Sequence, residues 1–279
     1  DREAVRAPLE ALAEALGTAP EEAAEGVLAV ADTAMERALR VISVERGYDP
    51  ADFCVVAFGG AGALHVAELT GRLGAARALV PPDPGLLSAW GMLAAPLTRE
   101  ASRTLLVATD DPDHEATIGR AFEELITTAR EALLDEGAEP GAVSVTRWVD
   151  ARYRGQSYEL RVAADGWVEA FHESHRVRYG YQRPDTPVEA VTVRAVATAP
   201  GPELDVPALA EAEGPPPGTE ARVRFRGEDL AASHVWRRDL RAGHALDGPA
   251  LVLEYSATTW LPPGWSLEVD DHGILHLVR

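Results

Sequence analysis

The chain has 279 residues, with 26 Lys+Arg against 45 Asp+Glu and a formal net charge of −19. That charge argues against nucleic acid or an anionic membrane as partner. Every basic residue is Arg and there is no Asn, which excludes a Walker phosphate loop, Schiff-base chemistry and a Cys-His-Asn site. The single Cys excludes an internal disulfide and fits a reducing, cytoplasmic location. No apolar run reaches the ~18 residues of a membrane span, so no membrane is expected as partner.

In chain order, residues 2–16 read as a helix with Leu9, Leu12 and Leu16 on one face and Gly17 as its stop. Thr18 to Glu21 matches a capping box. The long helix that follows carries Val27, Leu28, Ala31, Ala34, Met35, Ala38, Leu39 and Ile42 at helical spacing, which predicts one broad buried face. Phe53 to Phe58 is a continuous apolar run and reads as a central parallel strand. Gly59-Gly60-Ala61-Gly62, a helix to Leu73 and a strand Arg77–Val80 complete one βαβ unit. Gly85 to Ala94 reads as a short helix.

Beyond Pro96 the pattern predicts a strand over 104–109 and an amphipathic helix over 114–134. Further strands are expected over 143–149, 158–162 and 188–197, interrupted by a helix over 171–179. Residues 201–220 are Pro-rich and read as a linker, and 221–279 carry only strand and turn signals. The expected divisions are 1–97, an α+β region 98–200, the linker, and a β-rich end 221–279.

The Gly-rich turn is the strongest chemical lead. Without Cβ atoms, its backbone amides can approach a phosphate or ribose, and the next helix aims its positive end there. The competing explanation is a tight turn with close packing. A dinucleotide fingerprint is a poorer fit. Gly60-x-Gly62 is followed by His65 instead of a third glycine, although Asp83 stands where a ribose-binding acid belongs. Cys54, inside the apolar run, reads as an inert thiol. His172 and His175, three apart on a helix, read as hydrogen-bonding imidazoles in preference to metal ligands, and no metal site is expected. His276 shares a strand face with His272 by period two. Arg152, Arg154, Arg237 and Arg238 are expected to pair with carboxylates at the surface.

Several motifs together resemble the hydantoinase A/oxoprolinase family. They are Val44–Phe53 running into Ala57–His65, Val80–Ala89, Arg152–Leu160, Phe171–Tyr181, Gly248–Ala250, Glu254–Thr259 and Pro262–Trp265. The ATP-dependent ketone carboxylases (acetone and acetophenone types) are similar to this family. The resemblance implies the end of an actin-like (RNase H-like) ATPase lobe, an α/β and α+β chain with a β-rich C-terminal domain. It implies ATP with magnesium as cofactors, with Gly59, Gly60, Ala61 and Gly62 near the nucleotide. The implied activity is ATP-driven opening of a cyclic amide such as hydantoin or 5-oxoproline, in which phosphorylation of the amide oxygen makes the carbon attackable by water. The family's Asp-Gly-Gly-Thr-like phosphate motifs do not occur, and Gly59-Gly60 is the only adjacent glycine pair. The resemblance is therefore to the C-terminal half of such a subunit. The expected partners are the missing N-terminal half and a hydantoinase B-like subunit. No catalytic base is identified, and a non-catalytic assembly module is the rival from another class.

Overall fold

The computed structural model describes residues 2–279. Helices α1 (Arg2–Leu16) and α2 (Pro20–Ile42) open the chain. Strand β1 (Cys54–Val56), helix α3 (Gly62–Leu73), strand β2 (Arg77–Val80) and helix α4 (Leu87–Ala94) follow. Then come β3 (Leu97–Ala108), α5 (His114–Asp135), β4 (Ser144–Tyr153), β5 (Leu160–Ala163), α6 (Trp167–Tyr179) and β6 (Val188–Ala199). The chain closes with β7 (Thr219–Phe225), β8 (Glu228–Trp236), β9 (Ala245–Asp247), β10 (Ala250–Leu253), β11 (Thr258–Leu261), β12 (Ser266–Val269) and β13 (Leu275–Val278).

These elements form two compact units. One comprises residues 1–92 with 205–279, the other 93–204. In the first, β1 and β2 pair in parallel and then continue into the C-terminal strands, in the order β1-β2-β13-β12-β9. The separation of 1–97 from 221–279 read from sequence therefore does not describe the sheet. Strand β13 hydrogen-bonds the free edge of β2 and buries Leu275 and Leu277, a pairing across almost 200 residues that local periodicity cannot signal. A second sheet, β11-β10-β8-β7, shares the core, in which Val66, Ala78, Val80, Val252, Leu261 and Leu267 are all buried. The Pro-rich segment is tied to this unit, with Leu209 N–H donating to Asp271 and Ala212 N–H to Ala242.

Three sequence expectations change here. Strand β1 is three residues long and lies at the end of its sheet, not its centre, so Cys54 is only half-buried and Phe53 and Phe58 are exposed. The apolar stripe of α2 faces outward. Val27 is 52% and Ile42 57% exposed, and only Ala23 and Asp32 of the helix are buried. Periodicity defines a stripe but not what covers it. The capping box is also absent. Ala19 takes the N-cap position with Pro20 at the first helical turn, and the Thr18 hydroxyl is buried without a hydrogen-bond partner among the described residues. Proline's preset φ and missing N–H suit that first position and displace the start by one residue.

The second unit is an antiparallel sheet, β3-β6-β4-β5, with α5 and α6 against it. Strand β6 alternates, burying Val193, Ala195, Ala197 and Ala199. Helix α5 buries Ile118, Phe122, Leu125, Ala129 and Leu133, as its spacing predicts. Two motifs distant in sequence meet here. The fully buried Tyr153 hydroxyl accepts from the Arg183 N–H at 2.7 Å and shares a hydrogen bond with His172 Nδ1 at 2.6 Å. His175, also fully buried, donates from Nδ1 to the Tyr181 carbonyl at 2.8 Å. Both imidazoles are thus hydrogen-bonding members of a packed cluster. Tyr153→Phe leaves the Arg183 amide and His172 Nδ1 without their partner and is expected to cost about 1–3 kcal/mol. Denaturant unfolding measures it, and a cost near zero would mean the cluster is held by ring packing alone.

Candidate functional site

The turn Gly59–Gly62 connects β1 to α3. Gly59 adopts φ 83°, a left-handed conformation that disfavours any side chain, and its N–H donates to the Pro84 carbonyl at 2.7 Å. That bond ties the turn to the loop after β2, where Asp83 itself has φ 47°. A third segment, Glu254 to Ala257, closes on both. The carbonyl oxygen of Ser256 lies 3.3 Å from where a Cβ on Gly60 would sit, and the Ser256 side chain would overlap one on Gly85. The segment is a closed turn, since the Glu254 N–H donates to the Ala257 carbonyl at 3.0 Å.

Two features suit this place to an anionic group. No side chain caps the N-terminus of α3, whose N-cap is Ala61, and no acidic residue stands in its first turn. The positive end of the helix is therefore uncompensated. The Ser256 hydroxyl, by contrast, is buried beside Gly85 and has no hydrogen-bond partner among the described residues. Gly60 and Ala61 are exposed, so the turn is reachable. The four turn residues singled out in the sequence are thus contiguous at one accessible point. The convergence of Pro84, Gly85 and Ser256 on them was not legible in the sequence.

A buried ion pair holds the third segment. Arg237 donates to Glu254 at 3.0 Å and, through its other terminal nitrogen, to the carbonyls of Val80 at 2.8 Å and Gly273 at 2.6 Å. Arg237 side-chain exposure is 10% and that of Glu254 7%, so this is no surface pair of the kind expected. Burial holds the Arg237 pKa below its usual value. It also pushes the Glu254 carboxyl above its usual range, despite the guanidinium beside it. Of the other arginines, Arg152 pairs with Glu189 at 2.9 Å, Arg154 with Asp110, and Arg238 lies over the Trp236 ring. Asp83, Glu254 and Tyr255 also border a cavity of about 870 Å³ with Trp90 and Trp236.

His65 takes no part in a dinucleotide turn. Its Nδ1 donates to the Asp32 carboxylate at 2.7 Å, joining α3 to the buried face of α2. The two residues are 33 apart and only the packing of two helices reveals the pair. At the end of the chain, His276 Nε2 donates to Asp270 at 2.9 Å, and the N–H groups of His272 and Ile274 donate to the same carboxylate. Burial alone would raise the Asp270 pKa, but these donors outweigh it and hold it below the usual range. A lowered carboxyl pKa contributes stability that is complete above the unfolded value near ~3.9 and lost as pH falls through the folded one. Asp270→Asn is therefore expected to flatten the acid side of a plot of Tm against pH. An unchanged acid limb would show that the carboxylate is not stabilised in the fold. Among the described residues no group of His, Cys, Asp or Glu is arranged to hold a metal, and no helix is long and apolar enough to cross a membrane.

Comparison with known proteins agrees with this architecture. The chain is 35% identical over 277 residues to an uncharacterised protein of Methanocaldococcus jannaschii, covering 96% of this chain and 39% of that one. It is 29% identical to caprolactamase subunit alpha of Pseudomonas jessenii, covering 93% of this chain and 40% of the relative. The crystal structure of ATP-dependent caprolactamase from that organism superposes with a TM-score of 0.67 at 27% identity, over 97% of this chain and 42% of that one. The nucleotide-free structure of acetone carboxylase, an ATP-dependent enzyme, superposes with a TM-score of 0.80 at 25% identity, over 99% of this chain and 42% of that one. The chain thus spans about two fifths of the length of these relatives. Residues 1–101 match the hydantoinase/oxoprolinase family and residues 108–279 match that family's C-terminal domain. The chain belongs to the hydantoinase/oxoprolinase family.

Proposed function

We propose that this chain is part of an ATP-dependent subunit that opens a cyclic amide of the hydantoin or 5-oxoproline type. Its share of the work is to complete a nucleotide site in an actin-like lobe through Gly59, Gly60, Ala61 and Gly62. The observation that carries the reading is the bare, accessible glycine turn at the uncapped start of α3. Backbone amides of the turn would hold the nucleotide's anionic or ribose oxygens, and a side chain on Gly60 would press on the Ser256 carbonyl, 3.3 Å from its Cβ position. When bound, ATP supplies the phosphoryl group that turns a poor amide electrophile into one that water can attack. Magnesium would accompany it, held largely by phosphate oxygens and water.

Further polypeptide is required for a complete site. The outward apolar stripe of α2 and the open edge of β1 suit burial by the phosphate-binding half of the same subunit. The family resemblance adds a hydantoinase B-like subunit as second partner. The caprolactamase relative, named as a subunit alpha, supports the amide reading and a multi-subunit assembly. One alternative has a specific observation in its favour. The acetone carboxylase structure superposes with the higher TM-score, 0.80 against 0.67, which supports an ATP-dependent ketone carboxylase. The test is to assay the full-length subunit with its partner for ATP-dependent hydrolysis of hydantoin, 5-oxoproline and caprolactam, and for bicarbonate-dependent ATP turnover with ketones. Activity in the second assay alone would replace the amide reading with the carboxylase. Activity in neither would leave a non-catalytic assembly module.

A further inference from the structure

Two of the sequence motifs, Arg152–Leu160 and Phe171–Tyr181, meet in a cluster to which the nucleotide reading gives no task. The inner part of the cluster is structural, with Tyr153 and His175 fully buried. The outer part stands in water. Tyr158 is 40%, Tyr179 38% and Tyr181 42% exposed. Adjacent aromatic rings left this open mark a contact surface.

The exposed side chains form a continuous row arched over His175, whose ring lies 4.7 Å from that of Tyr179 and 4.9 Å from that of Tyr181. The Arg178 guanidinium lies 5.9 Å from the centre of the Tyr179 ring. Tyr179 touches Tyr158 at 5.1 Å between centroids. Desolvation, and then the Tyr181 phenol that shares a hydrogen bond with it, raise the Tyr158 pKa, so Tyr158 keeps its proton at neutral pH. The Arg183 guanidinium closes the row, 5.4 Å from the centre of the Tyr181 ring. Three phenols thus stand between two cations.

The row is positive within a chain of net charge −19. Between Glu173 and Asp185 the sequence holds three arginines and no acidic residue. Arg176 pairs with Glu173, but among the described residues neither Arg178 nor Arg183 has a carboxylate partner. The dipole of α6 accounts for a cation at Arg178, in its last turn. It does not account for Arg183, which lies beyond the helix end at Tyr179. Tyr and Arg are the side chains that carry most binding energy at protein–protein contacts. Guanidiniums at the two ends of an aromatic row match carboxylates set along an extended chain. A nucleic acid would offer similar charge but is repelled by the acidic remainder of the chain.

We propose that this row docks an acidic segment of a partner polypeptide, with carboxylates on Arg178 and Arg183 and apolar groups on the three tyrosines. The row lies wholly within the unit of residues 93–204 and is independent of the glycine turn and of the cyclic-amide reading.

The test measures, by fluorescence polarisation, binding of the full-length subunit to a labelled peptide of alternating Glu and Leu, and to the same peptide with Gln for Glu. The Glu peptide is expected to bind about tenfold more tightly, and the difference to shrink at ~1 M salt, where exposed charges are screened. Arg178→Ala with Arg183→Ala is expected to weaken the Glu peptide about tenfold, the sum of two exposed ion pairs, and to leave the Gln peptide unchanged. Tyr158→Ala is expected to weaken both peptides alike, since it removes apolar surface. Arg222→Ala, at an exposed arginine of the other unit, is expected to change neither. If the double variant does not fold, Arg183→Ala alone, outside any helix or strand, decides with an expected loss of about threefold. Equal binding of the two peptides, an equal loss in Arg222→Ala, or no binding by the full-length subunit overturns the proposal. The last result would mean that the row is covered within the subunit itself or is only a solvated helix end. ATP turnover plays no part in the readout, so failure of the nucleotide reading leaves the result untouched.

Discussion

Gly60→Val in the full-length subunit is expected to lower ATP-dependent turnover on the order of a hundredfold while leaving its Tm nearly unchanged. Gly60 has no left-handed backbone requirement, unlike Gly59, so the substitution tests space and not φ. A Cβ there stands 3.3 Å from the Ser256 carbonyl, closer than relaxed contact, and valine adds two more carbons. The turn and the Glu254–Ala257 segment must then part by a few tenths of an ångström or more. Displacements of about 1 Å at a site that positions a reacting group cost roughly 10²-fold. Gly60→Ala is expected to fall between, since one carbon at 3.3 Å needs only a small shift. Steady-state ATPase with melting as a control measures the effect. Full activity in both variants would show that the turn is only a packing device.

Arg237→Met is expected to destabilise the unit holding residues 1–92 and 205–279 by about 3–5 kcal/mol, the range found when one partner of a buried ion pair is removed. That corresponds to a fall of roughly 6–20 °C in Tm for a domain of this size. The cost has two parts. Glu254 loses its counter-charge at 7% exposure, and the carbonyls of Val80 and Gly273 lose their donor. Arg237→Met with Glu254→Leu is therefore expected to recover only part of the loss, since the carbonyls stay unmatched. The pH dependence follows from the raised Glu254 carboxyl, which burial holds up while Arg237 opposes it. An acid whose folded pKa is raised binds its proton more tightly when folded. Its contribution is complete below the unfolded value, near ~4.3, and declines as pH rises through the folded one. Removing Arg237 raises that folded value further. The single variant should lose stability more steeply than the unaltered chain as pH rises above the ordinary carboxyl range. A single variant as stable as the parent would mean that Glu254 finds solvent.

Local structure was legible where one period ran through one element. The spacing of Ile118, Phe122, Leu125 and Leu133 specified α5 and its buried face. The glycine turn was legible as a turn for the same reason. What could not be read were relations between distant segments. Apolar spacing marks a stripe on α2 but not its cover, so Val27 and Ile42 were expected inside and lie outside. The edge position of β1 depends on which strands pair, and β13 reaches β2 only in the folded chain. The buried pairs Arg237–Glu254 and Asp32–His65 left no trace in sequence either. Their members look like ordinary charged residues until two elements meet and exclude water. Tyr153 and His172 belong to two motifs read separately, and their hydrogen bond explains why both segments are needed together.

The central claim is that the chain contributes to a nucleotide site serving cyclic-amide hydrolysis. The most direct measurement is the stoichiometry of ADP release to ring opening by the full-length subunit with its partner, across a panel of lactams and ketones with and without bicarbonate. The account predicts ADP formed in proportion to ring-opened product, independent of bicarbonate and lost in Gly60→Val. Ring opening that proceeds without ATP, or ADP release that requires both bicarbonate and a ketone, would contradict it.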